Sequence, residues 1–491
     1  MSQALGEHSS VFTRPSRQER NYHRLTKGKL SWGVLRFGMP LVVGMALHTT
    51  FNLIDMFMIS RLEEGTAGLA ALGVCDMVAA LATIISNGVS TAAVALISRR
   101  VGSRDQRGIR RATWQSLWLV GAFSLGFGLL GLIGSGVIIR DIMQVKGLAA
   151  DLAVPYLRIM LGGSFAIFFL LQITAILRAL GSAKSAATLL VMGNLLNIFL
   201  NIFFIYGAGP RPEVFAFAQP VAEFFGIPRM GVVGAGWATL IGRTVPVLIG
   251  ALLLTRRSGG PRFHLMYLKP MREELLALFR IGWPSSAQLI VRVGAVLVFI
   301  SLVNANYTSA GDPSALTAFS ICLRLETMVL FLSMGWGAAA STFVGANLGA
   351  GLRPRAQQAG WIAASFNFVL MIALVGVYMH FAEPIIGFFD PSPEVLTIGK
   401  EYLRIVGLSY GVLGVALVLS QAMTGAGATL SSLVIDGAFL VFLVVPMAII
   451  VTEYLGAPRL ALWTTIALGN LMAAAAYTLW YARGAFLEKQ V

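Results

Sequence analysis

The sequence predicts an all-α polytopic membrane protein: twelve transmembrane helices in two pseudo-symmetric six-helix bundles. Three observations predict it: an apolar composition poor in charge, long apolar runs between charged punctuation, and an internal repeat. Of the 491 residues, 57% are hydrophobic and 12% charged, and the mean hydropathy is +0.77. Soluble domains carry roughly a quarter charged residues. A chain this apolar has no aqueous core able to hide its side chains, so the bilayer is its solvent. In lipid the backbone must satisfy its own hydrogen bonds, which leaves helices or closed barrels. Runs such as 117–139 and 460–481 are continuous rather than alternating, which selects helices.

The charged punctuation divides the chain into spans at 32–60, 67–97, 113–139, 152–177, 186–208, 231–255, 281–303, 315–345, 358–380, 400–423, 431–451 and 460–482. The net charge of +15 is not spread evenly. It gathers in residues 1–30 (Arg14, Arg17, Arg20, Arg24, Lys27, Lys29), in the loop after span two (Arg99, Arg100, Arg104, Arg107, Arg110, Arg111) and in the linker after span six (Arg256, Arg257, Arg262, Lys269, Arg272, Arg280). All three lie on one side of a twelve-span topology. That asymmetry places both termini in the cytoplasm of a cell (inner) membrane protein. It marks the basic loops as topology signals that can also meet anionic lipid headgroups, rather than as a nucleic-acid surface. Residues 1–30 read as a flexible basic cytoplasmic tail without the apolar stretch of a signal peptide. The rest divides into an N-terminal six-helix lobe (31–256), a cytoplasmic linker (257–280), a C-terminal six-helix lobe (281–482) and a cytoplasmic C-terminus (483–491). Cys75 and Cys322 fall inside spans and read as buried thiols, not a disulfide.

The repeat fixes the architecture. Span one opens Arg36-Phe37-Gly38-Met39-Pro40 and span seven opens Arg280-Ile281-Gly282-Trp283-Pro284. At a nearly constant offset Cys75 meets Cys322, Gly88 meets Gly335, Gly102 meets Gly349 and Gly181 meets Gly427. The register then slips, so that Trp237 pairs with Trp463, and the slip is accounted for by an extra segment at 210–229. Six spans per half make the repeats parallel, related by an axis along the membrane normal, with cargo handled between or within the bundles.

Four stretches carry a family likeness: Gly38-Met39-Pro40 followed by Phe51-Asn52-Leu53-Ile54-Asp55; Arg99-Arg100-Val101-Gly102-Ser103-Arg104-Asp105; Met230-Gly231-Val232-Val233-Gly234-Ala235-Gly236-Trp237-Ala238-Thr239; and Val344-Gly345-Ala346-Asn347-Leu348-Gly349-Ala350-Gly351. In this order and spacing the chain resembles the multidrug and toxic compound extrusion (MATE) transporters, closest to their prokaryotic DinF-like branch. The resemblance implies a secondary active antiporter. It would export small organic, often cationic, compounds by alternating access in exchange for protons or sodium ions, as a monomer and without a cofactor.

An ionisable residue inside a span is costly and is a candidate site by default. Asp55 is the first, in the outer half of span one among apolar neighbours apart from Asn52 and His48. A carboxylate poised near the working pH can exchange a proton for cargo. In the family the aspartate at this place belongs to the cation-coupling site, completed by span-five and span-six residues that match Asn197, Asn201 and Thr239 here. Asn201 stands where the family carries Asp, and an amide cannot take up a proton. Asp76, at the start of span two, either replaces that missing carboxylate or caps the helix toward the outer aqueous layer. A sodium ion at Asp55, Asn197, Asn201 and Thr239 is the alternative to protons; no resident metal is expected. Candidates for the substrate cavity are Asn52, Asp55, Asp76 and Glu326. In the C-terminal half, Glu326 is expected to pair with Arg292, while Arg324 lies two residues from Glu326 and faces elsewhere. Asp436 lies near the inner end of span eleven. Pro40 and Pro284 are candidate hinges. Two other readings remain: a lipid or lipid-linked sugar flippase of the same wider superfamily, and a membrane-embedded enzyme, for which His48 and Asp55 share a helix face. Nucleotide-binding, zinc and nucleophile-elbow motifs are absent from the sequence.

Overall fold

The computed structural model describes residues 17–256, 269–309 and 311–489. Arg14, Arg257 and Arg262 of the basic clusters lie outside the described residues, as do the side chains of Arg17, Arg20, Arg256 and Asn52. Among the described residues, eleven helices are long and apolar enough to cross a membrane, and one bent pair makes the twelfth span. The spans are Leu30–Ser60, Gly65–Gly102, Gln106–Val137, Gly147–Gly162 with Ser164–Ala179, Ala183–Tyr206, Gly231–Arg256, Arg272–Tyr307, Ser314–Gly349, Arg353–His380, Pro393–Ile405 with Tyr410–Gly425, Thr429–Asp436 with its continuation to Tyr454, and Arg459–Arg483.

Several boundaries differ from the sequence expectation, each for a physical reason. Span four begins earlier than 152 and bends by 43° at Gly163. A side chain there would meet the Ile159 carbonyl one turn back as well as Leu240 of span six, so the bend favours glycine. Span ten tightens into a short 3-10 turn, Gly407–Ser409, at the corresponding place. Span seven starts at Arg272 rather than 281, because its first turns extend beyond the apolar stretch and carry Glu274, which pairs with Arg100 at 2.9 Å. Span eleven winds as π-helix over Gly437–Val444 and Ile450–Tyr454, a feature that hydropathy does not reveal. Pro40 and Pro284 sit inside unbroken helices.

The basic tail is not irregular throughout. Arg17–Thr26 forms a helix whose Leu25 and Thr26 are buried. It bridges the two halves on the terminus-bearing side. Asn21 Nδ2 donates to the Leu180 carbonyl at the turn after span four, and Asn347 Nδ2 of span eight donates to the Leu25 carbonyl.

The pseudo-two-fold axis is visible contact by contact. A two-fold relation requires that if i meets j, the equivalent of j meets the equivalent of i. At mid-membrane Gly88 of span two lies against Ser286 of span seven, and its partner Gly335 lies against Val42 of span one, the equivalent of Ser286. On the terminus-bearing side Gly102 abuts the Ala346 carbonyl, and Gly349 abuts the Arg99 carbonyl. The two cysteines obey the same rule: Cys75 Sγ donates to the Ala153 carbonyl of span four and Cys322 Sγ to the Gly399 carbonyl of span ten, each two spans further along its half. Both are buried free thiols. Gly181 and Gly427, at φ +81° and +83°, turn the chain after spans four and ten with the left-handed backbone that glycine adopts freely. The symmetry fails at the tryptophans. Trp463 is fully buried and stacks on Phe319 with ring centroids 5.3 Å apart, whereas Trp237 is exposed. Spans two and eight thus close together through glycine at one end of the molecule, leaving a cavity between the halves above the seam.

Candidate functional site

In the first half, spans one, five and six bring together residues far apart in sequence. Asn197 and Asn201 lie four apart and share a face of span five. Asn201 Nδ2 donates to Asp55 Oδ1 at 2.6 Å. With its amide nitrogen toward span one, Asn197 donates to Asp55 Oδ1 at 3.2 Å and Oδ2 at 3.1 Å. Its oxygen then accepts from Thr239 Oγ1 at 3.0 Å and from the Thr239 backbone nitrogen at 3.2 Å. Asn201, Asn197 and Thr239 are buried. A carboxylate receiving three amide contacts is held as an acceptor, which compensates part of its desolvation.

Arg243 also belongs to this site and was not among the sequence candidates. It stands one turn after Thr239 on span six and interacts electrostatically with Asp55, Asp76 and Tyr156. It does so through the field, since neither carboxylate is hydrogen-bonded to it. The surroundings of Asp55 are therefore not apolar apart from Asn52 and His48: the structure corrects that expectation, because packing turns the one arginine in the middle of span six toward span one. The signal was present as an arginine within an otherwise apolar run, four residues after a matched motif position.

Asp76 is exposed, yet within electrostatic reach of Asp55, Tyr156 and Arg243. His48 faces span five, with Nδ1 at 3.4 Å from Asn194 Oδ1. Asn194, Asn197 and Asn201 thus form a polar stripe along span five, and His48 engages that stripe rather than Asp55.

The MatE family profile matches residues 40–203 and 290–450, one block in each half. The chain belongs to the MatE family. It is 26% identical over 460 residues to a probable multidrug resistance protein, YpnP, of Bacillus subtilis, covering 94% of this chain and 96% of the relative. It is 26% identical over 432 residues to an FAD transporter of Shewanella oneidensis, covering 87% and 89%. Among solved structures, a multidrug resistance MATE family transporter in an outward-facing conformation superposes with a TM-score of 0.84 at 25% identity, covering 97% of this chain and all of that one. The MatE family comprises multidrug efflux transporters, and relatives of this chain are transporters.

In this MatE chain a cavity of about 420 Å³ lies between the halves, a size within the range of small-molecule sites. Spans one, two and four contribute Met45, Asn87 and Arg178; spans seven, eight and ten contribute Arg292, Glu326 and Gln421. Of the residues expected to line a substrate cavity, Glu326 does so, while Asp55 and Asp76 are not on its wall. The expected Glu326–Arg292 pair is absent. Glu326 instead accepts from Tyr402 Oη at 3.1 Å and Tyr410 Oη at 3.5 Å. Arg292 Nε bonds Asp436 Oδ2 at 2.5 Å. Gln288, one turn before Arg292, donates to Asp436 Oδ2 at 2.9 Å, and Tyr477 Oη donates to Asp436 Oδ1 at 2.7 Å. Arg292 pairs with span eleven, not span eight, and Asp436 immediately precedes the π-helical stretch of that span. Arg324 is exposed, with Nη1 at 4.0 Å from Met56 Sδ.

Proposed function

We propose that this chain is a secondary antiporter that exports amphipathic organic compounds in exchange for protons, with coupling centred on Asp55. The observation that carries this is the set Asp55, Asp76 and Arg243. Two carboxylates within electrostatic reach of one guanidinium carry a net charge of minus one, and a single proton makes the set neutral. Neutrality favours a group held in a low-dielectric surrounding. The set is thus suited to take up one proton and release it when the lobe changes shape. Asp76 supplies the second acid that Asn201 does not. A sodium ion is a poorer fit, because both span-five amides turn nitrogen donors toward Asp55 and Arg243 adds a repelling charge.

The positive-inside asymmetry assigns the terminus-bearing side to the cytoplasm of the cell membrane. With the glycine seam closed on that side, the present state is closed toward the cytoplasm. Alternating access would then require spans two and eight to part. The cavity between the halves is the cargo path on this reading. Coupling and cargo occupy different places, so they communicate through movement of the helices, not through direct competition for one carboxylate.

The test uses purified protein in liposomes with an imposed proton gradient and a panel of fluorescent organic probes. Gradient-driven accumulation that a protonophore abolishes is expected, falling to background in Asp55→Asn. Lipid scrambling independent of any gradient would instead support a flippase.

A further inference from the structure

Arg178 presents a problem that the coupling site does not solve. It lies at the end of the helix Ser164–Ala179 in span four, on the wall of the cavity between the halves. Among the described residues it has no ion pair and no side-chain hydrogen bond, and no carboxylate acts on it. An uncompensated guanidinium in protein interior is costly and contributes nothing to stability by itself. Nor does the fold demand a cation here. At the equivalent place in the second half stands Thr424, which lines the same cavity. Arg292, the other arginine on the wall, is neutralised by Asp436. Glu326 is held by two tyrosine hydroxyls of span ten. One guanidinium without a counter-ion is therefore left for whatever enters the cavity, on the same wall as a carboxyl, Glu326, that has only neutral partners.

The neighbouring wall has the matching chemistry. Asn87 of span two and Gln421 of span ten also face the cavity without a side-chain partner among the described residues. Their amides add neutral donors to the guanidinium, the combination that suits the oxygens of a carboxylate or phosphate. Val293, Leu297 and Leu330 supply an apolar wall for an organic body. We propose that Arg178 is the docking point for the anionic group, carboxylate or phosphate, of an amphipathic cargo held in this cavity. The acid on the same wall, Glu326, extends the class to zwitterions. This inference rests on the reading of the cavity as the cargo path. It extends the expected cargo, organic and often cationic, to compounds that carry an anionic group; of the acids expected in the cavity, Glu326 lines the wall and Asp55 and Asp76 do not.

The experiment uses two fluorescent probes with one aromatic body, naphthylacetate and a naphthyl trimethylammonium, titrated onto the purified full chain in nanodiscs. Wild-type protein is expected to bind the carboxylate, and Arg178→Gln to lower the ratio of carboxylate to ammonium affinity by about tenfold, the scale of one charge-assisted contact. Arg178→Lys, which keeps the charge, should hold the ratio above that of the glutamine variant. An unchanged ratio in Arg178→Gln, or no carboxylate binding by the wild type, would overturn the proposal even if the glutamine variant folds poorly. Nanodiscs with and without phosphatidylglycerol separate the sources of the anion. A solute site keeps its affinity in both, whereas loss of carboxylate binding only with the anionic lipid assigns Arg178 to a headgroup and also overturns it. Failure of the antiport reading looks different: neither probe would be moved by a gradient in liposomes.

Discussion

Arg292→Met is expected to destabilise the protein by about 3–5 kcal/mol, the cost of breaking a buried ion pair by removing one partner. The two ends of the pair are not equivalent. The Asp436 side chain is 4% exposed and that of Arg292 is 27% exposed. Removing Asp436 leaves an arginine that can turn into the cavity and be hydrated. Removing Arg292 leaves a carboxylate sealed among neutral donors, Gln288 and Tyr477, which must carry its charge alone or take up a proton. Arg292→Met should therefore lower the melting temperature more than Asp436→Leu. The double variant should regain most of the loss, because a buried pair replaced by apolar residues of similar volume is often neutral or better. A thermal double-mutant cycle reads this directly. Losses that simply add would show that the pair has no coupling energy.

Gly349→Val is expected to open the seam between the halves. A side chain at Gly349 would collide with the Arg99 carbonyl of span two, and neither backbone can yield without separating the spans. Overpacking of this kind costs about 1–3 kcal/mol. Because the seam belongs to one state of a transporter, that cost should appear as a shift of population rather than as unfolding. Ser98, fully buried in the seam, gives the readout. In a Ser98→Cys background, a membrane-impermeant maleimide added from the terminus-bearing side should label the Gly349→Val protein roughly tenfold faster than its parent, the ratio that about 1.4 kcal/mol supplies. Equal labelling would show that the seam is not a closed gate. The equivalent change at Gly102, which meets Ala346, should act in the same direction, since the two contacts are related by the pseudo-two-fold.

The fold was legible because bilayer solvation writes itself into composition. Twelve apolar runs and their repeat, including the pairing of Gly102 with Gly349 and of Cys75 with Cys322, could be read along the chain, and the structure turns them into reciprocal contacts. What hydropathy could not show is backbone irregularity inside apolar helices. The bend at Gly163 and the π-helical turns of span eleven leave the composition unchanged. At the site, Asp55, Asn197, Asn201 and Thr239 were found through motif resemblance, and they meet. Arg243 escaped because a motif directs attention to its own positions, and one more turn of the same helix lies outside it. The partner of Arg292 was misjudged for a related reason. Spacing tells which residues share a helix face, not which of two facing helices supplies the counter-charge, and Asp436 won over Glu326 through the packing of span eleven. Arg178, at a helix end, carries no spacing signal at all; only the cavity reveals it.

In the proposed mechanism the Asp55, Asp76 and Arg243 cluster couples proton movement to cargo movement through the separate cavity between the halves. Proton flux driven by cargo tests it most directly. Liposomes loaded with a pH-sensitive dye, containing the purified chain and given a gradient of a bound naphthyl probe without any imposed pH difference, should show proton movement opposite to the probe. In Asp55→Asn the probe should still bind, since Asp55 is off the cavity wall, but no proton flux should accompany it. Full proton flux in Asp55→Asn, or wild-type cargo movement that requires sodium and moves no protons, would contradict the account.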